Sequence, residues 1–517
     1  MYKHTHFLLL GLLLTFSVSA QRFPVPSANP WKDDYRDITG MEHYRSWGTY
    51  NVHDPAVMLV GDTYYMYSTD AIFFQRRNDD APLPDIKPGN IHVRSSKDLV
   101  HWKFEGWAFD SIPAEAKQWV WDNNQHKGAT NIWAPFPVKY GDKYRLYYCV
   151  SAFGLQVSYI GLAESGSPLG PWTLKGEVVK TRRGDPMNAI DPSIVTDPVT
   201  GKMWMHYGSY FGGLYVLELN PETGLPFTPG DQGVLVARRA NYKKDNLEAP
   251  EIIYHPGFKM YYLFTSYDPL MTTYNVRVGR SDKPEGPFLD FFGNDLRDTT
   301  NNYPIITHPY QFKNHPGWAG VAHCGVFANE KGDFFMAHQG RLSPDNQQMV
   351  LHVRELKWTD NGWPVASPQR YAGKIIQESA VSGGGNSQSQ TYNRKKANWN
   401  SLFPNQLTGH WEIIRIQDAK TDRQLEFGQI LWGEGQLRAT EINQSKEVEF
   451  LKNGRMKGSD GKWKYNAKTG LTLVLKNETI SNLIVFTGHD WENETETLLF
   501  TGLDHNGCSV WGKKVKP

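Results

Sequence analysis

The chain has 517 residues, a formal net charge of +1 and 21% charged residues. At about 150 residues per domain, this length allows two to four domains. The near-neutral charge gives no electrostatic footprint for nucleic acid or an anionic membrane, and three scattered cysteines are too few for a disulfide scaffold or a zinc cluster. The aromatic content of 18 Trp, 26 Tyr and 25 Phe, with 47 Gly and 31 Pro, favours short strands joined by tight turns.

The first twenty residues have the pattern of a secretory signal peptide. Lys3 precedes an apolar run from Phe7 to Leu14, and the small residues up to Ala20 end the segment. The run is too short to span a bilayer, and no later segment approaches 18 apolar residues. We therefore expect cleavage near Ala20, a secreted or periplasmic protein, and no membrane span.

A loose repeat runs from about residue 50 to residue 375. Each unit opens with a polar or aromatic residue, often followed by Pro, and continues as a short strand, a turn containing Gly and an aromatic strand. The five units begin at Asp54, Trp133, Asp191, Glu248 and His323. Their spacing leaves room for four-stranded blades of roughly 40 to 50 residues plus loops. The pattern predicts an all-β protein with a five-bladed β-propeller over residues 21–380, the alternative being a β-sandwich followed by unrelated β domains.

A polar, low-complexity stretch follows and is predicted to be a linker over residues 381–395. The remaining residues, 396–517, alternate polar and apolar side chains in short runs separated by turns. They are predicted to form a smaller C-terminal β-barrel or sandwich domain.

Three of the five repeat starts are carboxylates, namely Asp54, Asp191 and Glu248. The first strand of each blade lines the channel of a propeller, so these side chains should converge. A single Asp-Pro pair is usually a turn, but three acids at one repeat position favour a function. Like charges in a shared pocket split pKa values, as acid–base chemistry requires.

Two carboxylates that flank one bond are the usual machinery of glycoside hydrolysis, and a third can tune the pKa of the acid. Sugars also bind to aromatic platforms, although any single aromatic side chain here is more readily explained by packing between blades. The candidates next to the repeat starts are Trp133, Phe136, Phe153, Tyr210 and Phe211.

Six short motifs occur in a fixed order along the chain. They are His53-Asp54-Pro55, Trp133-Ala134-Pro135, Asn188-Ala189-Ile190-Asp191-Pro192, Gly208-Ser209-Tyr210, Glu248-Ala249-Pro250 and His323-Cys324-Gly325. With this order and spacing, residues 45–375 resemble glycoside hydrolase family 43, and within it the two-domain extracellular endo-α-1,5-L-arabinanases. The tail resembles their C-terminal β-barrel domain more weakly.

The resemblance implies a role for each matching residue. Asp54 would be the general base, Glu248 the general acid, and Asp191 the residue that orients the acid and raises its pKa. His323 would hold one calcium ion through a mostly aqueous shell, or would only hydrogen-bond near the acids. The implied substrate contacts are Asp54, Trp133, Gly154, Asn188, Ala189, Ile190, Asp191, Gly208, Ser209 and Tyr210. Phe136 departs from the acidic residue that members often carry there, which puts a polar contact at that point in doubt.

The function implied by the resemblance is endo-acting, inverting hydrolysis of α-1,5-L-arabinofuranosidic bonds in plant cell-wall arabinan or arabino-oligosaccharides, by a monomer with no nucleic-acid partner. One alternative is an exo-acting α-L-arabinofuranosidase or β-xylosidase on the same fold. A second is a non-catalytic sugar-binding propeller, against which the three aligned carboxylates argue. A third, a five-bladed retaining fructosidase, would be expected to open with an Asn-Asp-Pro-Asn-like motif that residues 53–56 lack.

Overall fold

The structure is a computed structural model that describes residues 33–71, 86–240, 246–343, 349–373, 404–418 and 438–516. The predicted signal peptide, its cleavage site and the predicted linker at 381–395 lie outside these residues. Strands dominate, as predicted for an all-β chain. The described helices are two 3-10 helices (Arg36–Ile38 and Met41–Ser46) and two α-helices, α1 (Ala114–Asn123) and α2 (Pro404–Leu407). None of these helices has the length and apolar character needed to cross a membrane.

Four of the five repeats each form a separate four-stranded antiparallel sheet, here called a blade, whose strands pair in chain order. Blade 1 contains β1 (His53–Val60), β2 (Thr63–Thr69), β3 (His92–Ser96) and β4 (Lys103–Trp107). Blade 2 contains β5 (Ile132–Tyr140), β6 (Lys143–Ser151), β7 (Ser158–Ser165) and β8 (Thr173–Thr181). Blade 3 contains β9 (Ser193–Thr196), β10 (Met203–Tyr207), β11 (Leu214–Leu219) and β12 (Val234–Ala237). Blade 4 contains β13 (Leu247–His255), β14 (Met260–Tyr267), β15 (Asn275–Ser281) and β16 (Ile305–Thr307).

The predicted turns that contain Gly connect the first two strands of blades 1 and 2, and in both blades Asp follows the Gly. In blade 1, Val60 pairs with Thr63 across a two-residue loop that starts at Gly61. In blade 2, Tyr140 pairs with Lys143 in the same way across Gly141. The glycines have φ of +57° and +59°, which side chains disfavour and which two-residue hairpins need.

Strand β6 shows how the blades pack against each other. Its side chains alternate between two cores, because successive residues of a strand point to opposite faces. Leu146, Tyr148 and Val150 enter a core shared with blade 1, whereas Tyr147 and Cys149 enter one shared with blade 3. A strand buried on both faces reads as a continuous apolar run, which explains the aromatic strand of each repeat.

The prediction of five blades is confirmed only in part, because the residues that the structure describes form four separate four-stranded blades. The repeat that starts at His323 is part of a seven-stranded sheet instead. That sheet contains β17 (Tyr310–Gln311), β18 (Trp318–Ala319), β19 (Cys324–Ala328), β20 (Phe334–Leu342), β21 (Met349–Trp358), β22 (Pro364–Ala366) and β24 (Asn443–Gln444). Strand β20 is the cause: its first half pairs with β19, and its last two residues continue onto β18.

The C-terminal strands form a β-barrel-like domain with a filled interior. Its strands pair as an eight-stranded sheet, and a bridge between Arg455 and Lys462 joins the two edges. The remaining strands are β23 (Gly409–Ile416), β25 (Lys446–Phe450), β26 (Met456–Lys457), β27 (Lys462–Asn466), β28 (Gly470–Leu475), β29 (Glu478–Asp490), β30 (Thr495–Leu503) and β31 (Ser509–Val515). Phe450 stacks between Trp411 and Trp463, with both centroid distances 5.3 Å. The barrel is therefore packed with side chains.

The C-terminal domain is joined to the propeller through a sheet and a core. Strand β24 pairs in parallel with β17, and Trp511 of β31 lies in the same core as Trp47 and Trp318. Polar contacts follow the same boundary: Gln369 donates to Glu492 at 2.7 Å, and Glu492 pairs with the buried Lys513 at 2.8 Å. The domain boundaries given above remain predictions.

The buried Glu251 connects three strands at the centre of the propeller. From β13, its Oε1 accepts the Val326 N–H of β19 at 2.8 Å, and its Oε2 accepts the Ser193 hydroxyl of β9 at 2.8 Å. Burial raises the pKa of Glu251 to about 7, although these two hydrogen bonds favour the ionised form. Between about pH 4.5 and pH 7, Glu251 is therefore protonated in the folded protein and ionised in the unfolded chain.

Replacing this acid should change how stability depends on pH. The folded pKa lies above the ordinary value of 4.5, so the free energy of unfolding falls as the pH rises from about 4.5 to about 7. Glu251→Gln cannot ionise, so the variant should gain stability relative to the parent between pH 4.5 and pH 8, by about 3 kcal/mol. Urea unfolding of both proteins at the two pH values measures this. A difference that is the same at both would contradict it.

Candidate active site

The repeat starts share an unusual backbone. Residues at the beginning of four inner segments have left-handed φ, namely Asp54 (+49°), Ala134 (+38°), Asp191 (+59°) and Ala249 (+56°). Register shifts accompany three of them, in β1, β5 and β13. A bulge that inserts an extra residue re-aims the neighbouring side chain. This local geometry turns the predicted acids towards one another.

The Asp54 carboxylate is held on both of its oxygens. Oδ1 lies 2.8 Å from Nδ1 of His53 and 3.2 Å from Nδ1 of His323. Oδ2 accepts a hydrogen bond from the Thr69 hydroxyl at 2.8 Å. Burial opposes ionisation, but the two histidines outweigh it and hold the pKa of Asp54 well below its usual range. Asp54 is therefore ionised at neutral pH.

The Glu248 carboxyl lies in a different environment. It accepts the Ser209 hydroxyl at 2.6 Å and the Tyr274 hydroxyl at 2.7 Å. Burial raises the pKa of Glu248 and the charge of Asp54 adds to the rise, although both hydroxyls oppose it. Glu248 therefore keeps its proton to a higher pH than an ordinary glutamic acid.

Asp191 is 7% exposed and is the third acid of the group. Burial raises the pKa of its carboxyl well above the usual range, and repulsion from Glu248 and Asp54 adds to the effect. The positive charge of His323 works in the opposite direction. Because Asp191 and Glu248 disfavour each other's ionisation, the pair retains a proton that Asp54 has lost.

His323 provides positive charge between the acids. Burial disfavours protonation, but Asp54, followed by Asp191 and Glu248, raises the pKa of His323 to about 9. The described residues contain no group of three or more His, Cys, Asp or Glu side chains that could hold a metal. For a metal, His323 offers Nε2 alone, because Nδ1 already faces Asp54.

The predicted aromatic contacts lie in β5 and in the loop that follows β6. Trp133 is half-buried, donates from Nε1 to Asn131 at 2.6 Å, and meets Phe153 edge to face at 6.0 Å. Phe153 is 44% exposed, and Gly154 follows it at the surface with φ +74°. Phe136, the departure from the family pattern, packs against the core of blade 3.

The segment before Asp191 is more buried than its predicted role suggests. Asn188 accepts the Ser158 hydroxyl at 2.6 Å, and both Ala189 and Ile190 pack in the hydrophobic core. The 208–210 segment differs, because Ser209 contacts Glu248 directly and Tyr210 is half-buried. Gly208 is required there, since a Cβ would lie 2.5 Å from the Gly213 carbonyl oxygen.

Three side chains that contact the acids were not predicted. Thr69 ends β2 and pairs with His53, so the strand register alone points to it. Tyr274 precedes β15, and Gln339 lies within β20, where its Oε1 accepts the Asp54 N–H at 3.0 Å. Neither residue belongs to a repeated motif, so the sequence contains no signal for them.

The chain is similar to known proteins in both of its domains. The family model for "Glycosyl hydrolases family 43" matches residues 48–364, and a "C-terminal lipocalin-like domain" model matches residues 389–512. An extracellular endo-α-(1→5)-L-arabinanase of Thermotoga petrophila is 27% identical over 90% of this chain and 94% of its own length.

An extracellular exo-α-(1→5)-L-arabinofuranosidase of Cellvibrio japonicus is 31% identical over 63% of this chain and 89% of its own length. Among solved structures, a Thermotoga petrophila endo-1,5-α-L-arabinanase is similar with a TM-score of 0.68 at 25% identity, and the match covers 90% of this chain and 99% of that one. Both matches to Thermotoga petrophila extend over the propeller and the C-terminal domain.

Proposed function

This chain belongs to glycosyl hydrolases family 43, and from that membership we propose that it is a secreted enzyme that cleaves α-1,5-L-arabinofuranosidic bonds within arabinan chains. The Thermotoga petrophila relative, which matches 90% of the chain, is named an endo-arabinanase, and both relatives reported above are named extracellular. The predicted signal peptide agrees with secretion.

The observation that supports catalysis best is the opposite shift of two neighbouring acids. Asp54 is held ionised by His53 and His323, whereas burial and the charge of Asp54 raise the pKa of Glu248. Environments that push two carboxyl pKa values apart provide a base and an acid at the same pH. A non-catalytic sugar-binding propeller would have no need for such a pair.

In the proposed mechanism, Glu248 donates its proton to the glycosidic oxygen while Asp54 accepts a proton from the attacking water. Ser209 and Tyr274 orient the acid, and Thr69 with the two histidines orients the base. Asp191 and Glu248 disfavour each other's ionisation, so Asp191 would keep the pKa of the acid raised. Direct attack by water inverts the anomeric configuration.

We propose that the arabinan chain binds along the exposed aromatic face of Trp133 and Phe153, beside Gly154 and Tyr210. Flat aromatic rings offer apolar area to the faces of sugar rings at a small entropy cost. The buried Ala189 and Ile190 would act by holding Asp191 in place rather than by touching the sugar.

We also propose that β19 to β22 serve as a fifth blade that closes the propeller. Strand β19 packs against both β1 and β13. A Cβ at Gly325 would lie 2.4 Å from the Pro55 carbonyl oxygen, and Val326 bonds to Glu251. His323 thereby reaches Asp54 across the junction of the first and last repeats.

We further propose one calcium ion beside His323, held mostly by water and by the field of the acids. The donor set fits only such a loosely held ion, because calcium prefers oxygen ligands and His323 supplies one nitrogen. That nitrogen can bind the ion only when it is unprotonated. The chain's own contribution would be to orient the imidazole through Asp54.

Calcium binding should therefore release a proton, since the pKa of His323 is raised to about 9 without the ion. Calorimetric titration of the calcium-free protein at pH 7, in two buffers of different ionisation enthalpy, measures the release, and His323→Gln is the control. Binding without proton release, or binding unchanged in His323→Gln, would place the ion elsewhere.

The products from debranched arabinan test the proposed reaction. An endo-acting enzyme should release oligomers of mixed length early, and proton NMR should show the β-anomer first because water attacks the α-linked sugar directly. Release of arabinose alone would favour the exo-acting alternative. Early appearance of the α-anomer would contradict the roles given to Asp54 and Glu248.

Substitutions of the two acids test their separate roles. Asp54→Ala and Glu248→Ala should each lower kcat on arabinan by several orders of magnitude while the melting temperature stays near that of the parent. With an aryl arabinofuranoside whose leaving group needs no proton, the loss should shrink for Glu248→Ala only. Equal losses for both variants on both substrates would argue against this division of roles.

A further inference from the structure

The backbone of Asp54 depends on a side chain from the last repeat. Its N–H lies inside the β1 bulge, where the pairing with β2 skips from His53 to Ala56. Gln339 of β20 supplies the acceptor, with Oε1 3.0 Å from that nitrogen. Without this acceptor, the N–H of a residue at φ +49° would lose its hydrogen bond.

Gln339 is itself fixed by buried groups. The ring of His338 donates from Nδ1 to the Gln339 carbonyl oxygen at 2.7 Å. Arg354 donates from Nε to Nε2 of His338 at 3.0 Å, and it can only donate, so the proton of this imidazole lies on Nδ1. Arg354 also bonds to the Tyr310 hydroxyl at 2.6 Å and to the Ser367 carbonyl at 2.8 Å.

The amide of Gln339 is only half satisfied. The side chain is completely buried, and its Nε2 has no hydrogen-bond partner among the residues that the structure describes. An unpaired buried donor destabilises a fold by about 1–3 kcal/mol, so an apolar residue of similar length would suit the packing better. The useful group is therefore the oxygen that faces Asp54.

We infer that Gln339 is a positioning residue that holds the left-handed backbone of Asp54, so that the carboxylate faces the attacking water. This inference rests on the proposed role of Asp54 as general base. Gln339 acts through the Asp54 amide. Its contribution should therefore appear in the chemical step and leave the binding of arabinan unchanged.

Gln339→Met keeps the length of the side chain and removes the acceptor. We expect kcat on arabinan to fall by about 10- to 100-fold with KM within twofold of the parent, because small misplacements of a reacting group cost about this much. The melting temperature should stay near that of the parent, because the substitution removes the unpaired Nε2 while the Asp54 N–H becomes unpaired. The loss should be equally large with an activated aryl arabinofuranoside, since the base is needed whatever the leaving group.

Two other variants separate positioning from general damage. Gln339→Glu keeps an acceptor oxygen at the same reach and should retain a higher kcat than Gln339→Met. Gln369→Met removes another buried glutamine, which donates to Glu492 at 2.7 Å, and should leave kcat unchanged. Parent-like kcat in Gln339→Met, or an equal loss in Gln369→Met, would overturn the inference.

Asp54→Ala, measured in the same series, separates an error in the role of Asp54 from an error in the role of Gln339. If Asp54→Ala keeps its activity, the proposed base is wrong and Gln339 has nothing to position. If Asp54→Ala is inactive and Gln339→Met is normal, only the role of Gln339 is wrong. Should Gln339→Met not fold, Gln339→Asn replaces it: its side chain is one methylene too short, and kcat equal to that of Gln339→Glu would overturn the inference.

Discussion

The cost of gathering three carboxyl groups in a buried site governs the rest of this structure. Asp54, Asp191 and Glu248 cannot all ionise there, because each charge disfavours the others. The acids therefore have different neighbours. Two histidines contact Asp54, whereas two hydroxyl groups donate to Glu248. The left-handed backbone at the repeat starts belongs to the same solution, since it aims the acids at one point at an expected cost of about 1–3 kcal/mol each.

The acids could be predicted from the sequence because a repeat places equivalent residues at equivalent positions. Asp54, Asp191 and Glu248 occupy one position of the repeat, and the first strand of each blade faces the centre. The turns at Gly61 and Gly141 could also be predicted, since few residues other than glycine tolerate their positive φ. The turns follow from local rules, and the acids follow from a pattern that recurs along the chain.

The features that the sequence did not reveal depend on contacts between distant segments. Gln339 lies far along the chain from Asp54, and no pattern marks either it or Tyr274. The merging of the last repeat into a seven-stranded sheet required β20 to extend past β19, a length that periodicity does not determine. Ala189 and Ile190 belong to a motif that resembles a binding segment, yet tertiary packing places both in the core.

The shared core at the domain junction also constrains the order in which the chain can fold. Trp47 and Trp511 come from opposite ends of the sequence and lie in one cluster of buried side chains. The N-terminal segment finds two of its partners only once residues near 350 and 370 exist, since Tyr50 bridges to Val350 and Asp33 pairs with Arg370. Long-range contacts of this kind slow folding, and we expect the C-terminal strands to dock late, because Trp511 enters a core that the propeller must supply.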